Sequence, residues 1–296
     1  MKIGIWGVSG FLGVELVKIF SKRPEVEVAY TVTSKEAKGA LAEVEVAFLA
    51  LKAEQSLEVA SRLLDLGIRV VDLSGAFRIR NAYDFDKYYN VKHHNRYLDI
   101  AIYGLPEKNR DKIRSARLVA NPGCYATAVN LGLLPLSLNG LILPRTMILV
   151  RAVSGYSGAG KQAKIPSSIL SYKPGRLHQH IPEIEQELKI RNQLFLFPNV
   201  ASWPRGIEVS IYLKISDPPD IIDLYKQFYQ NESFVRVNDE VKINDVVRTN
   251  FCDISPRMEK SIAIIKVAID NIGKGGAGQA VQNFNIMCGF SEKYIY

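Results

Sequence analysis

The chain has 296 residues, of which 47% are hydrophobic and 23% charged, and it carries a formal net charge of +8. This composition is that of a globular protein with one large or two ordinary domains, and it excludes intrinsic disorder, collagen-like chains and disulfide scaffolds. The 38 basic residues are spread among 30 acidic ones without a run of five like charges, so we attribute the excess to attraction of small anions and not to nucleic-acid binding.

The expected cellular compartment follows from three sequence features: membrane spans, signal peptide and cysteines. No segment reaches the ~18 apolar residues of a membrane span, and the N-terminus begins with an apolar strand instead of a signal peptide. Three cysteines, Cys124, Cys252 and Cys288, are widely spaced and odd in number. They suit a reducing environment. The sequence therefore predicts a cytoplasmic protein without a membrane partner.

The first half alternates short apolar runs with amphipathic stretches. Lys2–Trp6 is predicted as a strand, followed by a helix that places Leu12, Leu16, Ile19 and Phe20 on one face. Strand and helix alternation of this kind predicts a parallel sheet with right-handed crossovers. Further predicted strands are Val26–Val32, Val44–Leu51, Arg69–Leu73 and Arg117–Ala120, and the predicted helix between the second and third of them is Glu54–Leu66.

After Asn121 the pattern changes to longer strands separated by loops that contain glycine and proline. Thr146–Ser154 and Glu208–Ile215 are predicted strands, Phe195–Pro198 is a shorter one, and Ser261–Ala268 precedes a glycine-rich stretch and a final helix. This half is predicted to be an α+β domain with a more antiparallel character.

A glycine-rich loop lies between the first strand and the first helix. Such glycines let the backbone turn tightly beside a pyrophosphate, and the helix N-terminus offers N–H groups and the positive end of its dipole. Any tight turn could contain this motif alone, but its place between a strand and a helix favours dinucleotide binding. The loop residues expected to contact the cofactor are Gly7, Ser9, Gly10, Phe11, Leu12 and Gly13.

The end of the second strand lacks the acidic residue that would bind a ribose 2′-hydroxyl. Thr33, Ser34 and Lys35 stand there instead. Hydroxyls and a cation suit a 2′-phosphate, so NADP(H) is favoured over NAD(H). The alternative is that Ser34 and Lys35 form only a solvated loop.

Cys124 follows Asn121-Pro122-Gly123 and opens an apolar helical stretch. A thiol at a helix N-terminus has a lowered pKa and is a better nucleophile. Most lone cysteines are buried filler, which is the alternative. Cys252 and Cys288 lack such a setting, and we expect both to be structural.

Two histidines stand three and five residues before Glu183 in His178-Gln-His180-Ile-Pro182-Glu183. Pro182 and Glu183 suit a first helical turn, which places both histidines in the preceding loop. No further metal-ligand pattern accompanies them, so a Cys–His pair with Glu183 orienting an imidazole is favoured over a metal site. Two solvated histidines are the alternative, as expected for His93 and His94.

Two further loops look suited to anions. The loop from Ser154 to Lys161 offers backbone N–H groups and a cation, and Trp203-Pro204-Arg205-Gly206 presents an arginine beside a turn. A flexible loop and a surface arginine remain the alternatives.

Together these motifs resemble those of the N-acetyl-gamma-glutamyl-phosphate reductases of arginine biosynthesis, over nearly the whole chain. The aspartate-semialdehyde dehydrogenases are wider relatives that share the architecture and the cysteine chemistry. The other motifs that carry the resemblance are Val71–Ser74 with Phe77-Arg78, Tyr103–Glu107, Ala120–Tyr125, Ser154–Gly160, Pro204–Gly206, Asp270-Asn271, Lys274-Gly275 and Gly278–Ala280.

The resemblance implies an α/β protein with a Rossmann-type NADP-binding domain of parallel strands over residues 1–123 and 276–296. It implies an α+β catalytic and dimerisation domain over residues 124–275. It also implies a homodimer or homotetramer. Between Ser34 and Val44 the family usually has a longer segment than the nine residues present here.

The activity implied is reduction of an acyl phosphate by NADPH to an aldehyde and phosphate, through a thioester on Cys124. His178 is expected to act as acid/base with His180 and Glu183 in support, although the two histidines could exchange roles. No metal is expected. Further cofactor contacts implied are Ser157, Gly158, Asn271 and Lys274, and the expected substrate contacts are Asn121, Ser154, Lys161 and Arg205.

Three alternatives remain. A lysine-pathway reductase that acts on aminoadipyl phosphate held by an acidic carrier protein shares all these motifs. An aspartate-semialdehyde dehydrogenase is disfavoured because the His178–Glu183 motif is not its pattern. A non-catalytic NADP-binding regulatory protein should have lost Cys124 or the histidines.

Overall fold

The computed structural model describes residues 1–92, 96–160, 164–216 and 220–295. Lys161, His93 and His94 lie outside the described residues. The described strands are β1 (Lys2–Trp6), β2 (Glu27–Val32), β3 (Ala37–Gly39), β4 (Val46–Leu49), β5 (Arg69–Asp72), β6 (Ala101–Tyr103), β7 (Leu118–Ala120), β8 (Ile148–Gly155), β9 (Leu170–Ser171), β10 (Leu194–Ala201), β11 (Ile207–Lys214), β12 (Val235–Val237), β13 (Cys252–Glu259) and β14 (Ile262–Ile269). The described α-helices are α1 (Phe11–Phe20), α2 (Ala53–Asp65), α3 (Ala82–Tyr89), α4 (Pro106–Arg114), α5 (Cys124–Leu138), α6 (His180–Leu188), α7 (Ile221–Tyr229), α8 (Ile243–Val246) and α9 (Gly278–Cys288).

The described chain forms two units, each with its own sheet. The first unit comprises Met1–Gly123 and the C-terminal stretch from Gly276, and the second comprises Cys124–Gly275. The sheet of the first unit has the order β3-β2-β1-β4-β5-β7-β6, and the sheet of the second has the order β12-β13-β14-β11-β8-β10-β9.

The first sheet is parallel except where β3 pairs with β2. The chain runs from β1 to β2 on one side and then crosses to β4 on the other side of β1. Ligands of such sheets bind outside the carboxyl ends of the strands at this reversal, which is where the Gly7–Gly13 loop lies. The predicted parallel α/β fold is confirmed.

Aromatic packing explains why the C-terminal helix α9 belongs to the first unit. Phe48 of the buried strand β4 lies 5.1 Å from the ring of Phe20 in α1 and 5.5 Å from that of Phe284 in α9. The buried Arg23 donates to Asn285 Oδ1 of α9 at 2.7 Å, with its guanidinium 5.8 Å from the Phe284 ring. These contacts bury apolar rings on a helix about 260 residues distant from α1 in sequence.

The short connection between β2 and β4 contains an edge strand that the sequence did not predict. β3 is exposed and antiparallel to β2, and a 3₁₀ turn at Leu41–Glu43 follows it. A three-residue exposed strand needs no apolar alternation, so no pattern in the sequence indicates it.

The second sheet is mainly antiparallel, as predicted, with two parallel pairs, β8 with β10 and β12 with β13. Helix α5 packs on β11 and β14, where Gly132 lets the helix approach: an added Cβ would lie 2.7 Å from Ile211 Cδ1. The predicted strand Phe195–Pro198 was too short, and β13 was not predicted. Pro198 and Pro256 lie inside these strands, and proline normally argues against a strand interior.

The turn after β1 gives a prediction for the first unit. Gly7 has φ +81°, and an added Cβ would lie 2.2 Å from Ala50 O at the end of β4. We expect Gly7→Ala to lower the free energy of unfolding by about 3 kcal/mol, from left-handed strain plus this overlap. Gly67→Ala is the matched control, because Gly67 has φ +82° but an added Cβ there would meet nothing within 4 Å. Urea unfolding should therefore show a loss of only about 1 kcal/mol in the free energy of unfolding. Equal losses in the two variants would contradict the close approach.

Candidate active site

The backbone of the Gly7–Gly13 loop is packed so closely that Gly7 and Gly13 leave no room for a side chain. An added Cβ on Gly13 would lie 2.2 Å from Gly7 O, as close as that on Gly7 to Ala50 O. Gly10 is the N-cap of α1, and no side chain of the described residues caps that terminus. First-turn N–H groups without a side-chain cap and the positive dipole end of α1 suit a pyrophosphate.

The residues after β2 divide into one anchored and two exposed side chains. Thr33 Oγ1 accepts hydrogen bonds from the backbone N–H groups of Lys35 and Glu36, both at 3.1 Å. Ser34 and Lys35 are exposed. Thr33 thus shapes the turn, while Ser34 and Lys35 present a hydroxyl and a cation to solvent.

Asn121, at the end of β7, is held inside the first unit. Its Nδ2 donates to Gly276 O at 3.2 Å, and its Oδ1 accepts from Asn283 Nδ2 at 3.0 Å. The buried Arg78 donates to Asn121 O at 2.8 Å. The carboxamide therefore ties β7 to the start of α9, a positioning role that the sequence did not indicate.

In the second unit Cys124 is the first residue of α5 and is half-buried. Gly275 lies against it, since an added Cβ on Gly275 would be 3.0 Å from Cys124 Cβ. The Gly275 N–H donates to Asp270 O at 2.8 Å. The backbone beside the thiol is thus fixed by the turn that follows β14.

A cluster of two buried histidines, the buried Tyr125 and the half-buried Tyr172 lies in the same unit. The rings of His178 and His180 are 4.6 Å apart, and His178 is 5.5 Å from the Tyr125 ring and 5.7 Å from the Tyr172 ring. Both histidines are buried, His178 being 2% exposed. The alternative of two solvated histidines is therefore wrong.

The placement of both histidines in a loop was also wrong for one of them. Helix α6 begins at His180, two residues before Pro182. Proline is tolerated in a first helical turn because the N–H groups there have no intrahelical partner. The sequence pattern consequently could not fix which of its first residues opens the helix.

The ring of His178 has a defined hydrogen-bonding state. Its Nδ1 accepts from the backbone N–H of His180 at 3.1 Å, which places the proton of the neutral ring on Nε2. Burial, aided by the charge of Lys173, lowers the pKa of His178 from 6.5 to about 4. At neutral pH this imidazole therefore presents an N–H donor.

The two tyrosines, to which the sequence assigned no role, remain protonated, and Tyr125 directly follows Cys124 in α5. Burial, with the charge of Cys124 adding to it, raises the pKa of Tyr172 to about 12. Burial likewise raises the pKa of Tyr125 far above its usual 10. Tyr172 OH donates to Tyr125 OH at 3.4 Å, and Tyr125 OH donates to Asn199 O at 3.2 Å. No motif signals Tyr172, which precedes His178 by six residues.

An ion pair anchors the segment that carries the histidines. Arg176 Nη1 and Nη2 donate to the two carboxylate oxygens of Glu185 at 2.7 and 2.9 Å, and Gln193 N and Leu194 N also donate to Glu185. Burial alone would raise the pKa of Glu185, but these donors outweigh it and hold the pKa below its usual value. Glu183 is fully buried in the same helix.

A second ion pair organises the loops at the other predicted contacts. The fully buried Asp270 accepts from Arg205 Nε at 3.1 Å and pairs with its Nη2 at 2.8 Å. Asp270 also accepts from Ile272 N at 2.9 Å and from Arg248 N at 2.5 Å. Arg205, expected to contact substrate, thus has a carboxylate partner 65 residues away that no local pattern reveals.

Ser157 and Asn271, both expected to contact cofactor, form one network. Asn271 Nδ2 donates to Ser157 Oγ at 2.8 Å, and Asn271 Oδ1 accepts from Gly206 N at 2.8 Å. Gly158 adjoins this network: an added Cβ would lie 3.1 Å from Ser154 Oγ. Ser154 is buried and donates to Gly155 O at 3.0 Å.

Lys274 is fully buried, with Nζ 5.9 Å from the centre of the Phe234 ring. Among the described residues no group of three or more His, Cys, Asp or Glu is arranged to hold a metal ion. Within the same residues, no helix is long and apolar enough to cross a membrane.

Two family models match the chain. Residues 124–271 match the semialdehyde dehydrogenase dimerisation domain, and residues 35–116 match the semialdehyde dehydrogenase NAD binding domain. Proteins named N-acetyl-gamma-glutamyl-phosphate reductase from Geotalea daltonii and Cellvibrio japonicus are 37% and 38% identical to this chain. The two alignments cover 99% of the chain and 96% and 97% of the relatives.

Solved structures share the fold at low identity. Aspartate semialdehyde dehydrogenase II complexed with ASA from Vibrio cholerae has a TM-score of 0.75 at 16% identity, covering 97% of both chains. Aspartate semialdehyde dehydrogenase with NADP from Candida albicans has a TM-score of 0.71 at 14% identity, covering 99% of both chains. At these identities the likeness concerns architecture alone.

The buried imidazole of His178 predicts how stability depends on pH. Since the folded pKa of about 4 lies below the unfolded value of 6.5, only the unfolded chain gains this proton as the pH falls between them. The free energy of unfolding should fall over that interval, by up to about 1.4 kcal/mol per pH unit from this group, and His178→Asn should flatten the slope. Urea unfolding from pH 7 to 4.5 measures both. Equal slopes, or an NMR titration of the His178 ring near pH 6.5, would contradict the burial.

Proposed function

This chain belongs to the N-acetyl-gamma-glutamyl-phosphate reductase family, and we propose that it reduces N-acetyl-gamma-glutamyl phosphate to N-acetyl-glutamate 5-semialdehyde and phosphate in arginine biosynthesis. One observation carries the proposal: Cys124 opens helix α5, and the next residue, Tyr125, packs its ring 5.5 Å from the buried, neutral His178. A nucleophile and a hydrogen-bond donor are the two groups that acyl transfer from a phosphate requires.

The cofactor of this reaction is a nicotinamide dinucleotide, which the first unit fits. The loop Gly7–Gly13, including Ser9, Gly10, Phe11 and Leu12, would hold the pyrophosphate through its backbone N–H groups. Thr33, Ser34 and Lys35 would hold the 2′-phosphate of NADP(H), because no carboxylate stands there. When bound, the reduced nicotinamide supplies a hydride. In the second unit we propose four residues that contact the cofactor: Ser157, Gly158, Asn271 and Lys274.

Cys124 is the proposed nucleophile. Its sulfur forms a bond to the acyl carbon, the carbon–oxygen bond to phosphate breaks, and phosphate leaves with that electron pair and the thiol proton. A thioester remains on Cys124. The hydride that a bound cofactor supplies would add to the acyl carbon of this thioester. The carbon–sulfur bond would then break, the aldehyde would leave, and the returned thiolate would take one proton from water to restore the thiol. Covalent capture thus divides one difficult step into two easier ones.

His178, which the sequence resemblance assigns as acid/base, is proposed here as a hydrogen-bond donor. Because Nδ1 already accepts from His180 N, Nε2 carries the proton of the neutral ring and can donate but not accept there. A donor of this kind stabilises the negative charge that develops on the acyl oxygen when sulfur adds. His180 and Glu183 support it from the first turn of α6, and the Tyr125 and Tyr172 rings fix its orientation by edge contacts.

The substrate and assembly follow the same family assignment. We propose that Asn121, Ser154, Lys161 and Arg205 contact the substrate, Asn121 through the loop that leads into α5. We propose a cytoplasmic homodimer or homotetramer built through the unit that matches a dimerisation domain, with the other unit binding the dinucleotide. The relatives described above are named for the N-acetylated substrate, which favours a small molecule over a carrier-linked one.

The reverse reaction tests this function. N-acetyl-glutamate semialdehyde, phosphate and NADP⁺ should give phosphate-dependent reduction of NADP⁺, and Cys124→Ser should lower turnover by about 1,000-fold or more, as loss of a covalent nucleophile does. Cys288→Ser is the matched control and should keep activity, since burial raises the pKa of Cys288 to about 11 and keeps that thiol protonated.

Two outcomes would contradict the proposal. One is turnover that does not require phosphate. The other is a folded Cys124→Ser variant that retains wild-type turnover, because a hydroxyl cannot replace the thiolate as nucleophile at neutral pH.

A further inference from the structure

The second unit contains a pocket of about 420 Å³ between the turn at Trp203–Arg205 and the segment Ile243–Arg248. We call it the Trp203 pocket, lined by Trp203, Arg205, Ile243, Val247 and Arg248 among others. Its volume is within the range of pockets that bind small molecules, which are ~300–1,000 Å³.

The pocket carries one net positive charge. Arg205 and the buried Asp270 form a two-point ion pair and neutralise each other. Arg248 bonds to Asp270 through its backbone N–H, and within the described parts of the chain no acidic side chain pairs with its guanidinium. One anionic group on a ligand would therefore balance the pocket, and a guanidinium favours carboxylate or phosphate through paired hydrogen bonds.

The backbone at Arg248 is unusual for an arginine. Its φ is +63°, in the left-handed region that favours glycine. Thr249 Oγ1 donates to Val246 O at 2.7 Å and helps to hold this turn. Strained backbone of this kind concentrates at functional sites, where it aims a side chain that a relaxed turn would direct elsewhere.

The walls of the pocket distinguish between anions. Trp203 is 37% exposed, and Ile243 and Val247 are half-buried beside it. Inorganic phosphate would leave this apolar surface uncovered, whereas a carboxylate that bears a planar amide and a methyl group would cover it.

Hydrogen bonds of Asp270 link the lining of the Trp203 pocket to Gly275, the residue that lies against the proposed nucleophile Cys124. The side chain of Asp270 accepts from Arg205 Nε and from the backbone N–H of Arg248. The backbone oxygen of Asp270 accepts from the N–H of Gly275, which lies against Cys124. The turn after β14 is therefore shared by the pocket and by the backbone beside the thiol.

We propose that the Trp203 pocket binds the distal end of the substrate, an N-acylated α-amino acid: Arg248 takes the α-carboxylate, and Trp203, Ile243 and Val247 contact the acyl group on nitrogen. The proposal rests on the function given above and assigns its specificity to Arg248. By binding this carboxylate, Arg248 would select substrates by their distal end without taking part in the chemistry at the acyl phosphate.

Trp203 fluorescence gives a test that needs no turnover. The chain has two tryptophans, and the other, Trp6, is buried in the first unit. Titration of the full-length wild-type enzyme with N-acetylglutamate should change the Trp203 signal, and Arg248→Gln should weaken the apparent affinity 10- to 100-fold, with Arg248→Lys in between. Arg257→Gln removes the same charge from an exposed position on β13 and should bind as wild type does.

The kinetic arm uses the same variants in the reverse reaction. Arg248→Gln should raise KM for N-acetyl-glutamate semialdehyde 10- to 100-fold and leave KM for phosphate and kcat within about threefold, because binding at the distal end is equal in ground and transition states. A change confined to KM for phosphate, a Trp203 response to inorganic phosphate alone, or wild-type constants in folded Arg248→Gln would overturn the assignment.

The two arms separate this inference from the proposed function. Arg248-dependent binding of N-acetylglutamate without phosphate-dependent turnover in the wild type would support the pocket and refute the reductase activity. Wild-type turnover that is unaffected by Arg248→Gln would support the activity and refute the pocket.

Discussion

The second unit depends on the buried carboxylate of Asp270. An ionised carboxylate without water costs several kcal/mol unless it is paired and hydrogen-bonded. Arg205 supplies the charge, and the backbone N–H groups of Arg248 and Ile272 supply further donors. Three segments distant in sequence must therefore meet at one point.

This constraint extends to the groups proposed for chemistry. The same turn carries Asn271, whose carboxamide bonds Ser157 and Gly206, and Gly275, which lies against Cys124. A single charged pair thus orders the loops expected to hold cofactor and substrate. Arg205 already has Asp270 as its partner, so among the described residues that line the Trp203 pocket Arg248 is the cation that a ligand can meet.

The His178 cluster shows how burial sets a chemical role. Water exclusion favours the neutral imidazole, and the hydrogen bond from His180 N decides which nitrogen keeps the proton. The same exclusion keeps Tyr125 and Tyr172 protonated. The cluster consequently offers neutral hydrogen-bond donors, which are the groups that the proposed reaction needs where negative charge develops.

Local patterns predicted the parallel sheet, the Gly7–Gly13 turn and the position of Cys124 at a helix start, because each depends on residues close in sequence. Strand β10 was underestimated since Pro198 lies within it, and no alternation marks the exposed strand β3.

The tertiary contacts were beyond such patterns. Arg205 and Asp270 are 65 residues apart, and Tyr172 reaches Tyr125 across 47 residues. Only the folded chain shows that Arg205 already pairs with a carboxylate and that the rings of Tyr125 and Tyr172 lie beside the histidines.

The most direct measurement is the mass of the acyl enzyme. Full-length protein mixed with N-acetyl-gamma-glutamyl phosphate in the absence of dinucleotide, then quenched in acid, should gain the mass of one N-acetylglutamyl group. Peptide mapping should place it on Cys124, hydroxylamine should remove it, and Cys124→Ser should not acquire it. A stoichiometric adduct on another residue, or none while the wild-type enzyme turns over, would contradict thioester catalysis at Cys124.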